Sequence, residues 1–163
     1  MAADIFLELT NGIKGESVDS KHAGQIDVLS WNWAMNQSGT THLGKGGGGG
    51  KVQVSDIQLA KYVDLSSNDL IKKCCNGSHI DKATLYVRKA GGEDPLEYFK
   101  IEMEHVMITS YQTGGGSDGL DRIMENLTLN FAKFNITYIQ QDEKGGQKAT
   151  ATAGWNIAEN VKV

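Results

Sequence analysis

A lysine that follows a run of glycines is the first feature of this sequence that could do chemistry. Gly46 to Gly50 precede Lys51, as glycines precede the lysine of a phosphate-binding loop. In that loop the backbone amides cradle phosphates, and a serine or threonine after the lysine binds magnesium. Here Lys45 occupies the position of the first glycine and Val52 replaces the hydroxyl residue. The tract is therefore not predicted to bind a nucleotide, and we expect a flexible or partner-ordered loop.

A second glycine motif lies later in the chain. Gly114, Gly116 and Gly119 match the Gly-x-Gly-x-x-Gly spacing of dinucleotide-binding sites. That fingerprint needs a helix directly after it, whose N-terminus faces the pyrophosphate. Residues 127–131 instead alternate in the manner of a strand. We predict a hairpin loop here, and a nucleotide-dependent oxidoreductase acting through this loop is the alternative from the enzyme class.

The histidines and cysteines form no metal-binding or catalytic pattern. None of the histidines pairs with another histidine or a cysteine at metal-ligand spacing. They are His22, His42, His79 and His105. Cys74 and Cys75 are adjacent near the end of a predicted helix, where a disulfide between them is excluded and the helix dipole disfavours a thiolate. We interpret both as free packing thiols, and the sequence predicts neither an enzyme nor a cofactor.

Two tryptophans, Trp31 and Trp33, fall on the same side of a predicted strand. Such indoles could stack on a sugar, but residues of this type more often belong to the core. Their apolar neighbours Leu29 and Met35 favour the core. A carbohydrate-binding β-sandwich remains a third interpretation.

Most of the elements that must position these residues are strands. Apolar and polar residues alternate with period two, which is typical of half-buried antiparallel strands. The alternating segments are 5–9, 29–36, 83–88 and 99–104.

The alternation changes phase twice, near His105 and Val106 and again between residues 131 and 134. A bulge or bend is expected at such a point. Two segments, 96–112 and 125–139, are much longer than an ordinary strand. Strands of this length must curve around a small antiparallel β-barrel, and we expect their ends to meet another subunit.

One segment interrupts the alternation. Its apolar residues recur at helical spacing; they are Leu70, Ile71, Cys74 and Cys75. Ser66 and Asp69 have the spacing of a capping box, and Gly77 supplies a left-handed end. The pattern predicts a helix at about 65–76 that covers a barrel opening or a sheet edge.

Length and charge restrict the possible classes further. The chain has 163 residues, which predicts a single domain over residues 1–163. Sixteen Lys and Arg against 20 Asp and Glu give a net charge of -4, without the basic stripe that nucleic-acid binding needs. No apolar run approaches the roughly 20 residues that span a bilayer. The first nine residues lack a signal-peptide pattern, so we expect synthesis in the cytoplasm.

Several short motifs occur in a specific order along almost the whole chain. They are Gly15-Glu16-Ser17, His22, Ile26 to Trp33, Asp56, Lys61, Asp64, Cys74, Gly77, His79, Arg88 to Gly92 and the Gly114 to Gly119 loop. Together they resemble the Hcp family, the tube proteins of the bacterial type VI secretion system. The family typically reads Ser-Trp-Ser-Trp-Gly where this chain has Ser30 to Ala34, a departure on the polar face of that strand.

The resemblance implies a mainly β fold, a small antiparallel β-barrel with one short helix that assembles into a ring of six copies. Rings of this family stack into a tube inside a contractile sheath, capped by a VgrG spike, and effectors bind in the lumen. Sheath contraction expels the tube, so the chain is expected in the cytoplasm and then outside the cell, without a cleaved signal peptide. Neither a cofactor, a metal, a nucleic acid nor membrane insertion is expected for this function.

Two sets of site residues are predicted on this basis. The strand face opposite the two tryptophans is expected to line the lumen and hold cargo, through Ser30, Asn32, Ala34 and Asn36. The glycine-rich loop is expected to make the contact between stacked rings. Its residues are Ser38, Gly39, Thr40, His42, Gly46, Gly47, Gly48, Gly49 and Gly50.

Overall fold

The computed structural model describes residues 3–42, 44, 48–89, 94–119 and 121–163. Within these ranges lie twelve strands and one helix. They are β1 (Ala3–Leu9), β2 (Ile26–Asp27), β3 (Ser30–Asn32), β4 (Met35–Asn36), β5 (Gln53–Val54), β6 (Ile57–Tyr62), α1 (Ser67–Asn76), β7 (Ile80–Lys89), β8 (Glu97–Gly114), β9 (Met124–Asn130), β10 (Lys133–Gln141), β11 (Gln147–Asn156) and β12 (Val161–Lys162).

The strands form two antiparallel sheets that share β8, and a small separate ribbon. Sheet I has the order β12-β11-β10-β8-β7-β1-β2, and sheet II has the order β3-β6-β9-β8. The ribbon pairs β4 with β5. The predicted fold class is confirmed: the chain is mainly β, with antiparallel sheets and one short helix.

The sheets meet at two corners and do not close into one uninterrupted ladder. One corner is β8 itself, which pairs with β7 and β10 in its first half and with β9 in its second. At the other, between β2 and β3, the Val28 N–H donates to the Ile5 carbonyl (2.9 Å) and the Leu29 N–H donates to the Ala60 carbonyl (2.8 Å). The chain therefore passes from the edge of sheet I to the edge of sheet II within two residues.

The apolar core lies between the two sheets. Sheet I contributes the fully buried residues Leu7, Leu85, Ile101 and Met103, and sheet II contributes Ile57, Leu59, Leu127 and Leu129. Every second residue of these strands faces the core, which is the reason that period-two alternation predicted them.

The first predicted phase change is confirmed in β8. His105 has a left-handed backbone, with φ of 54°. Met103 is buried before it and Val106 after it, so the buried positions are three residues apart instead of two. Segment 96–112 is accordingly one long strand, as predicted.

The prediction that segment 125–139 forms a single long strand is wrong. The segment consists of β9 in sheet II and β10 in sheet I, separated by Phe131 and Ala132. The Ala132 N–H donates to the Glu104 carbonyl at 3.0 Å, beyond the end of the β8–β10 ladder. The phase change predicted here is where the chain crosses from one sheet to the other.

Segment 29–36 also divides, because β3 pairs with β6 whereas β4 pairs with β5. Trp31 and Trp33 pack against the core, as expected. Trp31 stacks on Phe99 with ring centroids 5.7 Å apart, and Trp33 meets Phe134 edge-on at 4.8 Å. Leu29 and Met35 are 43% and 44% exposed, so their assignment to the core is wrong.

Helix α1 lies within the predicted range, and Gly77 ends it with φ of 65°. The predicted capping box is absent at this helix start. Ser66 makes no side-chain cap bond; its N–H and hydroxyl donate to the Asp64 carboxylate, which lies three residues before the first helical residue. The carboxylate therefore orders the turn that leads into the helix.

Only half of the predicted apolar face of α1 is buried. Leu70 is fully buried and Cys74 is partly buried against the core, whereas Ile71 and Cys75 are exposed. Both cysteines are free thiols. The packing role is confirmed for Cys74 and wrong for Cys75, because α1 contacts the sheet through a narrower face than four apolar positions suggested.

The loop between β1 and β2 is fastened across sheet I by charged and aromatic contacts. His22 is buried, with its ring stacked 4.3 Å from that of Phe6. Arg88 donates two hydrogen bonds to Asp19, at 3.1 and 2.6 Å, and one to Asp4 at 2.9 Å. The loop is therefore held in place by His22 and Arg88, and both residues belong to the sequence motifs.

Gly15 allows the two arms of this loop to approach closely. A Cβ atom there would lie 2.4 Å from the Gln25 carbonyl oxygen, far inside van der Waals contact. Any larger residue would force the arms apart, so the glycine of the Gly-Glu-Ser motif has a steric reason.

We predict that the Arg88–Asp19 contact stabilises the fold fully above about pH 4 and progressively less at lower pH. The hydrogen bonds from Arg88 hold the pKa of Asp19 well below its ordinary value of 3.8. The carboxylate of the unfolded chain therefore takes up a proton first as the pH falls, and the stabilisation decreases steadily from about pH 4 toward the lower pKa of the folded state. In urea denaturation, Asp19→Asn should be less stable than the unmodified chain at pH 7, and the difference should shrink between pH 4 and pH 2.5.

Asp94→Asn is the matched control, because Asp94 is 97% exposed and 4.0 Å from Lys21. Its effect on stability should be small at every pH. A gap between Asp19→Asn and the unmodified chain that stays constant down to pH 2.5 would contradict the assignment.

Candidate functional site

The outer side of sheet II carries small and polar residues in two cross-strand rows. The register of β3, β6, β9 and β8 aligns the first row as Ser30, Ala60, Asn126 and Gln112. It aligns the second as Asn32, Gln58, Thr128 and Ser110. We call these eight residues the polar face.

The polar face exists because the opposite side of the same strands is buried. In β6, for example, Ile57 and Leu59 face the core, which turns Gln58 and Ala60 outward. The face is slightly concave and forms a groove of about 300 Å³. Its walls are the backbone of four hydrogen-bonded strands, so its side chains are held on a rigid support.

Hydrogen bonds between side chains connect the second row. The Asn32 amide donates to the Gln58 carbonyl oxygen at 3.2 Å. The hydroxyl oxygens of Ser110 and Thr128 lie 2.8 Å apart. Amide and hydroxyl groups on this face still have free donor and acceptor positions toward solvent, so the face can hydrogen-bond a polar surface laid against it.

Of the predicted lumen residues, the structure brings Ser30 and Asn32 together on the polar face. Ala34 and Asn36 lie outside it. Ala34 is bound to Ser55, which donates its hydroxyl to the Ala34 carbonyl (2.8 Å) and accepts from the Ala34 N–H (3.1 Å), and Asn36 belongs to the β4–β5 ribbon.

Sequence reasoning missed the other six residues of the polar face. They are Gln58, Ala60, Ser110, Gln112, Asn126 and Thr128. The alternation of apolar residues in these segments could have marked them as outward-facing. It could not have shown that they lie beside Ser30 and Asn32, because that depends on which strands pair.

The residues predicted to contact a neighbouring ring form an exposed, narrow stem. Gly39 and Gly49 are bridged antiparallel, and the Thr40 hydroxyl donates to the Gly48 carbonyl at 2.9 Å. Ser38 and Gly50 lie at the base, with Gly50 N–H to Ser38 O at 3.4 Å. His42 follows the stem, and Gly46 and Gly47 lie outside the described residues.

A buried ion-pair network supports the polar face from beneath. Lys61 and Glu125 are fully buried and face each other in the β6–β9 ladder, where they form a salt bridge. The Lys61 ammonium also donates to Asp64 at 3.0 Å and to the Ser67 hydroxyl at 3.3 Å. The network thus joins two strands of sheet II to the start of α1.

Tyr111 completes this network, since its hydroxyl donates to the Glu125 carboxylate. Burial, and then this hydrogen bond, raises the pKa of Tyr111 to about 12. The phenol therefore stays a neutral donor at physiological pH. Because Lys61 and Glu125 have no solvent access, the network is suited to holding strands in place and not to reacting with a substrate.

The Gly114–Gly119 motif lies in a hairpin, as predicted. Strand β8 ends at Gly114, which pairs with Met124 at the start of β9, and the strand that follows replaces the helix of a dinucleotide site. Within the described residues we find no group of three or more His, Cys, Asp or Glu that could hold a metal ion. No helix in the same part of the chain is long and apolar enough to cross a membrane.

Sequence similarity to known proteins identifies the family. A family model described as type VI secretion system effector, Hcp, matches residues 6–138. Protein hcp1 of Pseudomonas aeruginosa is 46% identical over 163 residues, which cover 99% of each chain. The chain belongs to the Hcp family.

Solved Hcp structures share the fold as well. The crystal structure of Hcp1 from Salmonella typhimurium has a TM-score of 0.81 and 37% identity, with all of both chains covered. A structure described as a type six secretion system protein has a TM-score of 0.92 and 27% identity, covering 99% of this chain and 100% of that one. The resemblance carried by the sequence motifs is confirmed.

Family membership sets the coarse function. The chain is a secreted protein of the type VI secretion system, from a family of effectors and tube proteins and not from a known enzyme family. In the carbohydrate-binding alternative both tryptophans would be free for a sugar, but Trp31 stacks on Phe99 and Trp33 meets Phe134 edge-on. Both indoles are partly buried against the core, which favours the core interpretation.

We predict that Lys61→Ala lowers the free energy of unfolding by about 3–5 kcal/mol, because it leaves the Glu125 carboxylate buried without its cation. The double variant Lys61→Met, Glu125→Leu should lose less than the single variant, since both buried charges are removed. Urea denaturation of the three proteins measures the difference.

Lys72→Ala is the control for loss of a lysine. Lys72 is 75% exposed and lies 3.9 Å from Asp69, so its removal should cost at most about 0.5 kcal/mol. If the double variant were as unstable as Lys61→Ala or more unstable, the pair would not act as one buried unit.

Proposed function

We propose that this Hcp-family chain is the tube subunit of a type VI secretion system. Homohexameric rings stack into the inner tube, hold effectors against the polar face in the lumen, and are expelled with them by sheath contraction. The observation that carries the proposal is the polar face itself: eight small or polar residues on four strands, six of them exposed and two half-buried, without a formal charge or a large apolar side chain.

Ring formation is supported by the free edge of sheet I. Strand β12 pairs with β11 only at Trp155 and Asn156, so in the described structure residues 147–153 have no strand on their outer side. An exposed edge of this length is a template for another chain. A contact between this edge and a different surface of the next copy is heterologous, and such contacts close into rings when the rotation permits.

The lumen assignment follows from what a passage for folded cargo requires. Small polar side chains hold a protein surface without forming an apolar patch that would draw the walls together. Ser30 and Asn32 lie on this face. We place Ala34, between β3 and β4, and Asn36 of the β4–β5 ribbon along the same wall of the lumen.

The stem of residues 38–42 and 48–50 is proposed to contact the next ring. It projects as an exposed ribbon, and ordering a glycine-rich segment costs about 1–2 kcal/mol per residue. Ring stacking should therefore be weak in solution and depend on the sheath. The VgrG spike, the sheath and the effectors are the partners of this assembly, and export through the apparatus needs no cleaved signal peptide.

We predict that Asn32→Trp leaves rings intact and weakens cargo binding about tenfold. The indole fills the groove and removes the hydrogen bond to Gln58, which together correspond to about 1–2 kcal/mol. Light scattering should give a mass six times that of the chain. The lifetime of a co-produced effector of the same secretion system should fall.

Lys72→Trp, on the exposed side of α1, is the control and should change neither measurement. Loss of rings in Asn32→Trp would argue against a lumen position for this residue. A purified unmodified chain that stays monomeric at high concentration would contradict the proposed function as a whole.

Removing the Gly46–Gly50 tract should spare the ring and impair the tube. Gly48 to Gly50 of the tract form one arm of the exposed stem. Light scattering measures the ring, and the amount of this protein in the culture medium measures tube assembly and firing. Shortening the β8–β9 loop by Gly115 and Gly116 is the control, and secretion equal to the unmodified level in the tract deletion would exclude the stacking role.

A further inference from the structure

The polar face combines many hydrogen-bonding groups with no formal charge. Four of its eight residues carry side-chain amides, three carry hydroxyls and one is alanine. Amides and hydroxyls both donate and accept, so the face presents no single polarity to a partner. In a chain with 36 charged residues, an uncharged surface across four strands is a specific property of this side of sheet II.

The charges nearest to the polar face are held at its margins. Asp56 lies beyond one end, where it accepts hydrogen bonds from the Thr109 hydroxyl (2.6 Å) and the Asn130 amide (2.8 Å). Arg122 lies beyond the other end, over the ring of Tyr62 at 4.3 Å. Each of these charged groups is therefore already engaged by a neighbour.

The charges beneath the face are also paired. Lys61 and Glu125 point into the core from the same strands that carry Ala60 and Asn126 outward, and their salt bridge is fully buried. Asp64, the second carboxylate on Lys61, lies outside the face in a groove that Arg122 also lines. Opposite charges in contact largely cancel at the distance of a bound partner. A cargo molecule on the polar face consequently meets little field of either sign.

We propose that the polar face binds uncharged polar protein surface, through amide, hydroxyl and peptide groups, and that its affinity does not depend on the net charge of the cargo. This inference rests on the proposed function, because it names the chemistry by which the lumen holds its cargo. The absence of charge on the face is the complementarity argument for this partner. A nucleic acid is excluded as the occupant, because its binding needs lysine or arginine along the backbone.

Charge independence has a direct physical consequence. Attraction between charges across an exposed contact weakens as the screening length falls from about 10 Å at 0.1 M salt to about 3 Å at 1 M. Hydrogen bonds between neutral groups do not weaken in this way. Each contributes only about 0.5–1.5 kcal/mol, so tight holding depends on many copies of the face acting together in a ring.

The test uses three fluorescein-labelled 12-residue peptides in which glycine alternates with asparagine, aspartate or lysine. Their dissociation constants for the purified protein are measured by fluorescence anisotropy at 50 and 500 mM NaCl. The asparagine peptide should bind with a constant that changes less than twofold between the two salts. Neither charged peptide should bind more tightly than the asparagine peptide at 50 mM.

Two variants replace Gln58 with a charged side chain of similar size, and so introduce a charge at the centre of the face. Gln58→Lys should bind the aspartate peptide at least fivefold more tightly than the unmodified protein at 50 mM NaCl, and Gln58→Glu should do the same for the lysine peptide. Both gains should disappear at 500 mM. Lys72→Glu, which changes charge on the distant helix α1, is the control and should leave all three constants unchanged.

A severalfold preference of the unmodified protein for one charged peptide at low salt, lost at high salt, would overturn the inference. So would failure of the asparagine peptide to bind an intact ring. A chain that is monomeric by light scattering contradicts the proposed ring instead, and the same titrations on the monomer still decide between neutral and charged recognition.

Discussion

Strand β8 belongs to both sheets, and this double membership decides which side chains face outward on each. In its first half, Lys100 and Glu102 point away from the core while Ile101 between them is buried. The left-handed backbone at His105 changes the phase of the alternation. In the second half, Ser110 and Gln112 point outward. One strand thus supplies charged residues to the outside of sheet I and neutral residues to the polar face of sheet II.

The buried pair of Lys61 and Glu125 restricts how sheet II is assembled. Moving two charges into the core is costly, and their contact offsets that cost only when β6 and β9 are paired in the observed register. A slip of one residue would turn one of these charges away from its partner and exchange the two faces of the strand. Ala60 and Asn126 are the sequence neighbours of the pair, so we infer that the same constraint aligns the rows of the polar face.

Local patterns in the sequence predicted the local features of the fold. Alternation identified the strands, and helical spacing with Gly77 identified α1. The capping box predicted at Ser66 is a local error, and the other errors concern contacts between parts of the chain that are distant in sequence or in different elements. Leu29 and Met35 are exposed because β3 and β4 pair with different strands, and 125–139 is divided because it serves both sheets. For the same reason two of the four predicted lumen residues join six unpredicted ones, since rows across a sheet are set by strand pairing and not by spacing.

The outer sides of the two sheets differ in their charged residues: sheet I carries ion pairs, and the polar face of sheet II carries no formal charge. On sheet I, Lys82 lies 2.8 Å from Glu102 and Lys133 lies 3.4 Å from Glu104. Their hydrogen bond raises the pKa of Lys82 and lowers the pKa of Glu102, so both remain ionised over a wide pH range. We therefore expect contacts made through this side to respond to salt, whereas our proposal for the polar face is that its contacts do not. If the chain is the tube subunit that we propose, ionic conditions alter contacts made through the outer side of sheet I and leave cargo bound to the polar face.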